Sequence, residues 1–383
     1  MYRYPLWVWG RSILRIKLHL NILLVTGLLL GACSRAPDVE QVLVNAATLQ
    51  NPTDPGPTGL PSPSPTATIT PLPIIPATPS PSPTALPTVA RTPDPYTGYR
   101  IDDLARRSYG GGELVVESIL ADNSYFTRML VSYPSDGLRV YGFMNVPKQG
   151  NPPYPVVIAL HGYIEPELYN TLDYTTRYAD TLARYGYLVL HPNLRGYPPS
   201  DSGDNLFRVG MAVDVLNLIA LVKEHGGKPG SLEKADPGAI GLWGHSMGGG
   251  ISTRVMTVQP EVKAVVLYGA MSGDERKNFE RIFQYFSNGT RGWEELLTPD
   301  EIIQEVSPIN YLDRVQAEVS IHHGANDPDV PPEWSRDLCD RLNALAKPVE
   351  CFFYNDQAHT FRGEGDDLFS LRMVDFYNRV LKK

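Results

Sequence analysis

Ile240-Gly-Leu-Trp-Gly244-His245-Ser246-Met247-Gly248-Gly249 joins a short apolar run at 239–243 to a helical pattern at 247–258. The glycines two positions either side of Ser246 suit a turn so sharp that side chains there would strike neighbouring backbone. This is the Gly-x-Ser-x-Gly nucleophile elbow, which lifts a serine oxygen out at the N-terminus of a helix. In a chain with 33 glycines the five-residue pattern alone carries little weight, and a glycine-rich phosphate turn with an incidental serine would match it too. Its position between an apolar strand and a helix gives it meaning.

Outward from the elbow the chain alternates. Residues 156–160 read Val-Val-Ile-Ala-Leu, a fully apolar run suited to a strand buried on both faces. Helical patterns at 171–185 and 206–224 alternate with the run at 187–191 and the elbow strand. Beyond the elbow come strands at 262–268, 318–322 and 349–354 and helices at 332–346 and 367–381. Upstream, 113–120, 125–133 and 138–146 are β-type runs, with Pro134-Ser-Asp-Gly137 as a turn, and read as an antiparallel edge. Repeated strand–helix units predict a mostly parallel, doubly wound α/β sheet with that antiparallel N-terminal edge. Chemistry in such sheets gathers at the carboxyl ends of the strands.

A nucleophilic serine needs a base, and the base needs an acid to orient it. After an elbow of this kind the order along the chain is serine, acid, histidine. His323-Gly-Ala-Asn-Asp327-Pro-Asp329-Val-Pro331 follows the penultimate strand and offers Asp327 and Asp329; Asp327, three residues past the glycine, is the expected acid. His359 is the only histidine after it and is the expected base. His322 and His323 come too early in this order and are read as structural. The expected oxyanion donors are the backbone N–H of Met247 and that of Tyr163, in the loop Leu160-His161-Gly162-Tyr163. His161 is read as a loop hydrogen-bonder and Arg195, in Asn193-Leu-Arg-Gly196, as a loop-fixing arginine. Residues 274–309 form a helical insertion rich in aromatics (Phe279, Phe283, Tyr285, Phe286, Trp293), either a small cap over the acyl pocket or packing against the core. Asn288-Gly-Thr290 within it matches a glycosylation sequon and reads better as a turn.

Composition sets the limits. Fifteen of the 35 prolines lie in 51–95, and no charge occurs from Pro55 to Ala90. Such a segment cannot bury enough apolar surface to form a domain. Residues 33–95 are therefore expected to be a Pro/Ser/Thr-rich tether, extended at about 3.1 Å per residue, with a docking ligand as the weaker alternative. Arg3, Arg11, Arg15 and Lys17 precede the apolar run 22–30, which is short for a membrane span. Leu30-Gly-Ala-Cys33 resembles a bacterial lipobox, so 1–32 are expected to be a lipoprotein signal peptide and Cys33 the lipidated residue. An uncleaved anchor is the alternative; either places the domain outside the cytoplasm at a membrane. The net charge of −8, or −12 without the first 32 residues, argues against nucleic acid as a partner. Cys339 and Cys351 could bridge or remain buried thiols.

Several of these motifs together resemble one superfamily. They are Tyr133-Pro-Ser-Asp-Gly137 with Gly142 and Pro147, His161-Gly162, Asn193-Leu-Arg-Gly196, the elbow, Ser307-Pro-Ile-Asn-Tyr311, His323-Gly-x-x-Asp327-x-x-Val-Pro331 and His359-x-Phe361. Residues 132–383 resemble an α/β-hydrolase of the prolyl-oligopeptidase-like and dienelactone-hydrolase-like branch. The resemblance implies acyl-enzyme chemistry at Ser246, Asp327 and His359, with no cofactor and no metal. Trp243 and Ser307-Pro308 lean towards peptidases, while Gly-His-Ser-Met-Gly is commoner in esterases. The β-propeller of prolyl oligopeptidases is not seen between tether and catalytic domain, which favours an esterase or a peptidase on small substrates. An acyltransferase with the same triad, or a non-catalytic binding protein of the same fold, are the alternative classes.

Overall fold

The computed structural model describes residues 94–173 and 175–382. The expected signal peptide, Cys33 and nearly all of the tether lie outside the described residues. No helix among those described is long and apolar enough to cross a membrane.

Nine strands form one sheet in the order β1-β2-β3-β5-β4-β6-β7-β8-β9. The antiparallel edge consists of β1 (Val115–Asp122), β2 (Phe126–Ser135) and β3 (Leu138–Pro147). β3 also runs antiparallel to β5 (Leu188–Pro192). From there the sheet is parallel through β4 (Tyr154–Leu160), β6 (Ala235–His245), β7 (Ala264–Tyr268), β8 (Glu318–Gly324) and β9 (Val349–Tyr354). The chain steps from β4 to β5 on one side and to β6 on the other, so the switch in direction falls at β4. Ligand crevices form at such points.

Period-2 alternation explains why β4 is apolar throughout. Val156, Ile158 and Leu160 enter the core that also holds α3 (Val209–His225) and α4 (Met247–Val258). Val157 and Ala159 enter the opposite core, with residues of α2 (Thr176–Arg184) and α9 (Gly363–Leu381). The remaining helices are α1 (Ile101–Arg106), α5 (Glu275–Arg281), α6 (Trp293–Leu296) and α7 (Asp300–Val306) in the insertion, and α8 (Pro332–Ala344).

Several boundaries differ from the sequence reading. α2 begins at Thr176 and not at 171, because Asn170 and Asp173 close a turn first, the Asn170 N–H donating to Asp173 Oδ2 at 2.8 Å. The pattern at 206–224 is broken by Phe207 and Arg208, both at positive φ (53° and 57°), so α3 starts at Val209. β6 begins four residues early, where Ala235 pairs with Tyr154. Cys339 of α8 and Cys351 of β9 form a disulfide.

Candidate active site

Ser246 sits between the last residue of β6 and the first of α4, at φ 54° and ψ −115°. That conformation is costly for any residue with a side chain. Here surrounding hydrogen bonds impose it. The Ser246 N–H donates to the carbonyl of Tyr268 (3.0 Å), and its own carbonyl accepts from the N–H groups of Gly249 (3.0 Å), Gly250 (3.2 Å) and Met271 (3.0 Å). The flanking glycines are required by contact distance. A Cβ at Gly244 would lie 2.4 Å from the carbonyl oxygen of Gly248, and one at Gly248 would lie 2.3 Å from that of Leu160.

The loops after β8 and β9 bring Asp327 and His359 together. Asp327 Oδ2 lies 2.7 Å from His359 Nδ1, while Asp327 Oδ1 accepts the N–H groups of Asp329 and Val330, each at 2.9 Å. Asp327 is thus the carboxylate that meets His359, and Asp329 supports it through its backbone. Burial raises the Asp327 carboxyl; the hydrogen bonds from His323 and His359, with Val330's N–H, outweigh it and hold the group well below the usual carboxylate range. The His359 ring remains partly exposed.

Two histidines that the sequence reading left out of the site adjoin it. His245, the residue before the nucleophile, lies with its ring 4.6 Å from that of His359 and its Nε2 3.0 Å from the His359 carbonyl. Burial above all, then the neighbouring His359, pushes it down to about 3, so it packs against His359 as a neutral ring. His323 Nε2 lies 3.0 Å from Asp327 Oδ2. Only spacing could have found it: His323 and Asp327 are four apart, across a tight turn.

On the other side of the elbow, among the described residues, neither the Met247 nor the Tyr163 amide donates to a protein acceptor. The loop 160–163 is fixed by His161, whose Nδ1 and Nε2 lie 2.7 Å and 2.9 Å from the carbonyls of Gly162 and Asn193. Burial, opposed by those carbonyls, lowers its affinity for a second proton. Arg195 binds Asp214 of α3 through Nε and Nη2 and the Asp204 carbonyl through Nη1, bracing the loop after β5.

The insertion reaches both the loop of Asp327 and that of Tyr163. Arg281 donates to the carbonyls of Pro328 and Asp329 beside the acid and stacks over Tyr285 at 3.7 Å. Arg291 lies 4.8 Å over the Tyr163 ring, binds its hydroxyl, and sits 3.4 Å from Glu165. Phe279 is buried against the core, whereas Tyr285, Phe286 and Trp293 are exposed, so part of the aromatic content packs and part does not.

A family model described as the prolyl oligopeptidase family matches residues 174–383, more than half of the chain. The chain belongs to the prolyl oligopeptidase family. Among its relatives, YtmA of Bacillus subtilis (strain 168), an uncharacterized peptidase, is 24% identical over 241 residues, covering 60% of this chain and 85% of that protein. A putative carboxymethylenebutenolidase of Escherichia coli (strain K12) is 24% identical over 61% of this chain and 77% of its own length. Solved structures share the fold. Acetyl xylan esterase 1 from Thermoanaerobacterium sp. JW/SL YS485 aligns with a TM-score of 0.54 at 17% identity, covering 74% of this chain and 92% of that one. A puromycin-hydrolyzing peptidase of Mycobacterium tuberculosis aligns at 0.53 and 22% identity, over 68% of this chain and 40% of its own. The sheet is therefore that of an α/β-hydrolase, and this prolyl oligopeptidase family member is a serine hydrolase.

Proposed function

We propose that the protein cleaves carboxylic esters or small peptide bonds through an acyl-enzyme on Ser246, with His359 as base and Asp327 as acid. The observation that carries this is the 2.7 Å contact of His359 Nδ1 with a buried carboxylate, with the His359 ring 4.6 Å from that of His245, the residue next to a serine held at φ 54°. In the reaction, Ser246 Oγ attacks the carbonyl carbon and His359 Nε2 takes its proton, while the Nδ1–H stays on Asp327. The oxyanion is received by the N–H groups of Met247 and Tyr163, each supplying about 3–4 kcal/mol of transition-state stabilisation. The tetrahedral adduct then expels an alcohol or amine, which leaves with the proton from His359. Water repeats the sequence to release the acid and restore Ser246.

The test compares kcat/KM on short-chain nitrophenyl esters with that on aminoacyl and prolyl nitroanilides, using Ser246→Ala as the blank. Turnover should disappear in that variant with the fold intact, and a fluorophosphonate should label wild type alone. Anilide turnover would assign a peptidase, and ester turnover alone an esterase. Activity retained by Ser246→Ala would overturn the proposal.

We also propose that Cys33 is lipidated and that 33–95 tether the enzyme outside the cytoplasm. The support is the basic segment, short apolar run and Gly-Ala-Cys33 ending. A bacterial host fed radiolabelled palmitate should label wild type and not Cys33→Ser. Equal labelling of both would refute the anchor.

A further inference from the structure

His323 occupies the penultimate position of β8 and is fully buried. Its Nε2 has two neighbours, Asp327 Oδ2 at 3.0 Å and the Val330 carbonyl at 3.0 Å. Both can only accept, so Nε2 must carry a hydrogen. The other ring nitrogen lies 2.6 Å from Ser335 Oγ, a hydroxyl able to donate to it. Ser335 of α8 thereby sets the ring's orientation, and the single Nε2–H is shared between the Val330 carbonyl, to which it is aligned, and Asp327 Oδ2 at the same distance.

Four N–H groups surround Asp327: two backbone N–H groups on Oδ1, the His359 imidazole on Oδ2, and the His323 imidazole, whose Nε2–H lies 3.0 Å from Oδ2 and is shared with the Val330 carbonyl. These match the roughly four lone-pair sites of a carboxylate. Its side chain is sealed from solvent, so water cannot replace a missing donor. A histidine that only filled space between β8 and α8 would have no reason to share the oxygen used by the base. We infer that His323 is a positioning residue: through its Nε2–H it fixes the orientation of Asp327 and draws charge from the oxygen that holds His359. This rests on the reading of Asp327 and His359 as acid and base.

The consequence concerns proton affinity as well as geometry. Without the His323 N–H, Asp327 Oδ2 concentrates more negative charge and holds the doubly protonated His359 ring more firmly. The pH at which the enzyme gains activity then rises. The other titratable and charged groups facing this assembly are His245 of β6, Tyr268 of β7, Asp329 in the same loop and Arg281 of α5. All four are kept in the variants below.

The test uses the full chain with an activated nitrophenyl ester. His323→Leu removes the donor at similar volume, and His323→Gln places an amide N–H close to the imidazole Nε2. Folding is followed by circular dichroism and thermal melting. His323→Leu should lose roughly 10- to 100-fold in kcat with KM little changed. Its acid limb of kcat/KM should move up by about half to one pH unit, and His323→Gln should recover most of both. A folded His323→Leu with the wild-type profile, or a His323→Gln no better than it, would overturn the inference. Should His323→Leu not fold, 15N NMR of wild-type histidines decides. A protonated Nε2 at His323 whose signal moves when Ser246 is phosphonylated supports the role; a bare Nε2 or an unmoved signal refutes it. Asp327→Asn runs alongside: if it keeps wild-type kcat, the acid–base reading has failed, and not merely the part played by His323.

Discussion

At Ser246 one strained residue is held by four backbone hydrogen bonds, three of them to its own carbonyl. The strain is affordable only because the neighbours leave the chain no alternative, and Gly248 is the tightest of them. A methyl there would press on the carbonyls of Leu160 and His161 at 2.3 Å and 2.7 Å, both backbone that cannot swing away. Gly248→Ala should therefore cost about 3 kcal/mol or more of stability, and push the oxyanion loop and elbow apart. Urea unfolding measures the first, and fluorophosphonate labelling rate the second. A variant with wild-type stability and labelling would show that the elbow has slack.

Among the elements, the strands were easiest to read, because burial on both faces writes itself as unbroken apolar runs such as 156–160. The elbow, Asp327 and His359 were legible for a related reason: each follows directly after a strand, where little chain separates the end of regular structure from the chemistry. Helix starts were less legible. Phe207 and Arg208 adopt left-handed backbone with no glycine to announce it, and Asn170 and Asp173 divert the chain before α2. The contact of His245 with His359 runs between separate strands, and no spacing rule records it. The seating of the insertion was hidden for the same reason. Arg254 of α4, fully buried, binds Glu275 at the start of the insertion, the Val306 carbonyl near its end, and the carbonyl of Phe207. Arg208 shares the same Glu275, and the Ser307 hydroxyl accepts the Glu275 N–H at 3.0 Å. Both ends of the insertion are thus fastened to the helix that carries the nucleophile.

For the molecule as a whole, buried histidines set the response to acid. His191, His245 and His322 are each pushed down to about 3, chiefly by burial and next by neighbouring cationic or ionisable groups. The unfolded chain takes up these protons near pH 6.5 and the folded chain only near 3, so the unfolded state binds more protons in between. Stability is therefore full above about pH 6.5 and falls as the pH drops, each histidine contributing up to about 1.4 kcal/mol per pH unit. Asp327, held below its ordinary range, adds to the loss at the acid end. The urea midpoint should fall steeply between pH 7 and pH 5; a flat profile would mean that these rings are protonated in the folded state.

Arg281 grips the loop of Asp327 and Arg291 the loop of Tyr163, and both arginines belong to the insertion. Under the proposed mechanism the insertion thus steadies the loops on both sides of the reaction. A change that displaces it would loosen both loops at once. A lineage adapting this enzyme to bulkier molecules would have to trade breadth against speed, or first find those loops another support.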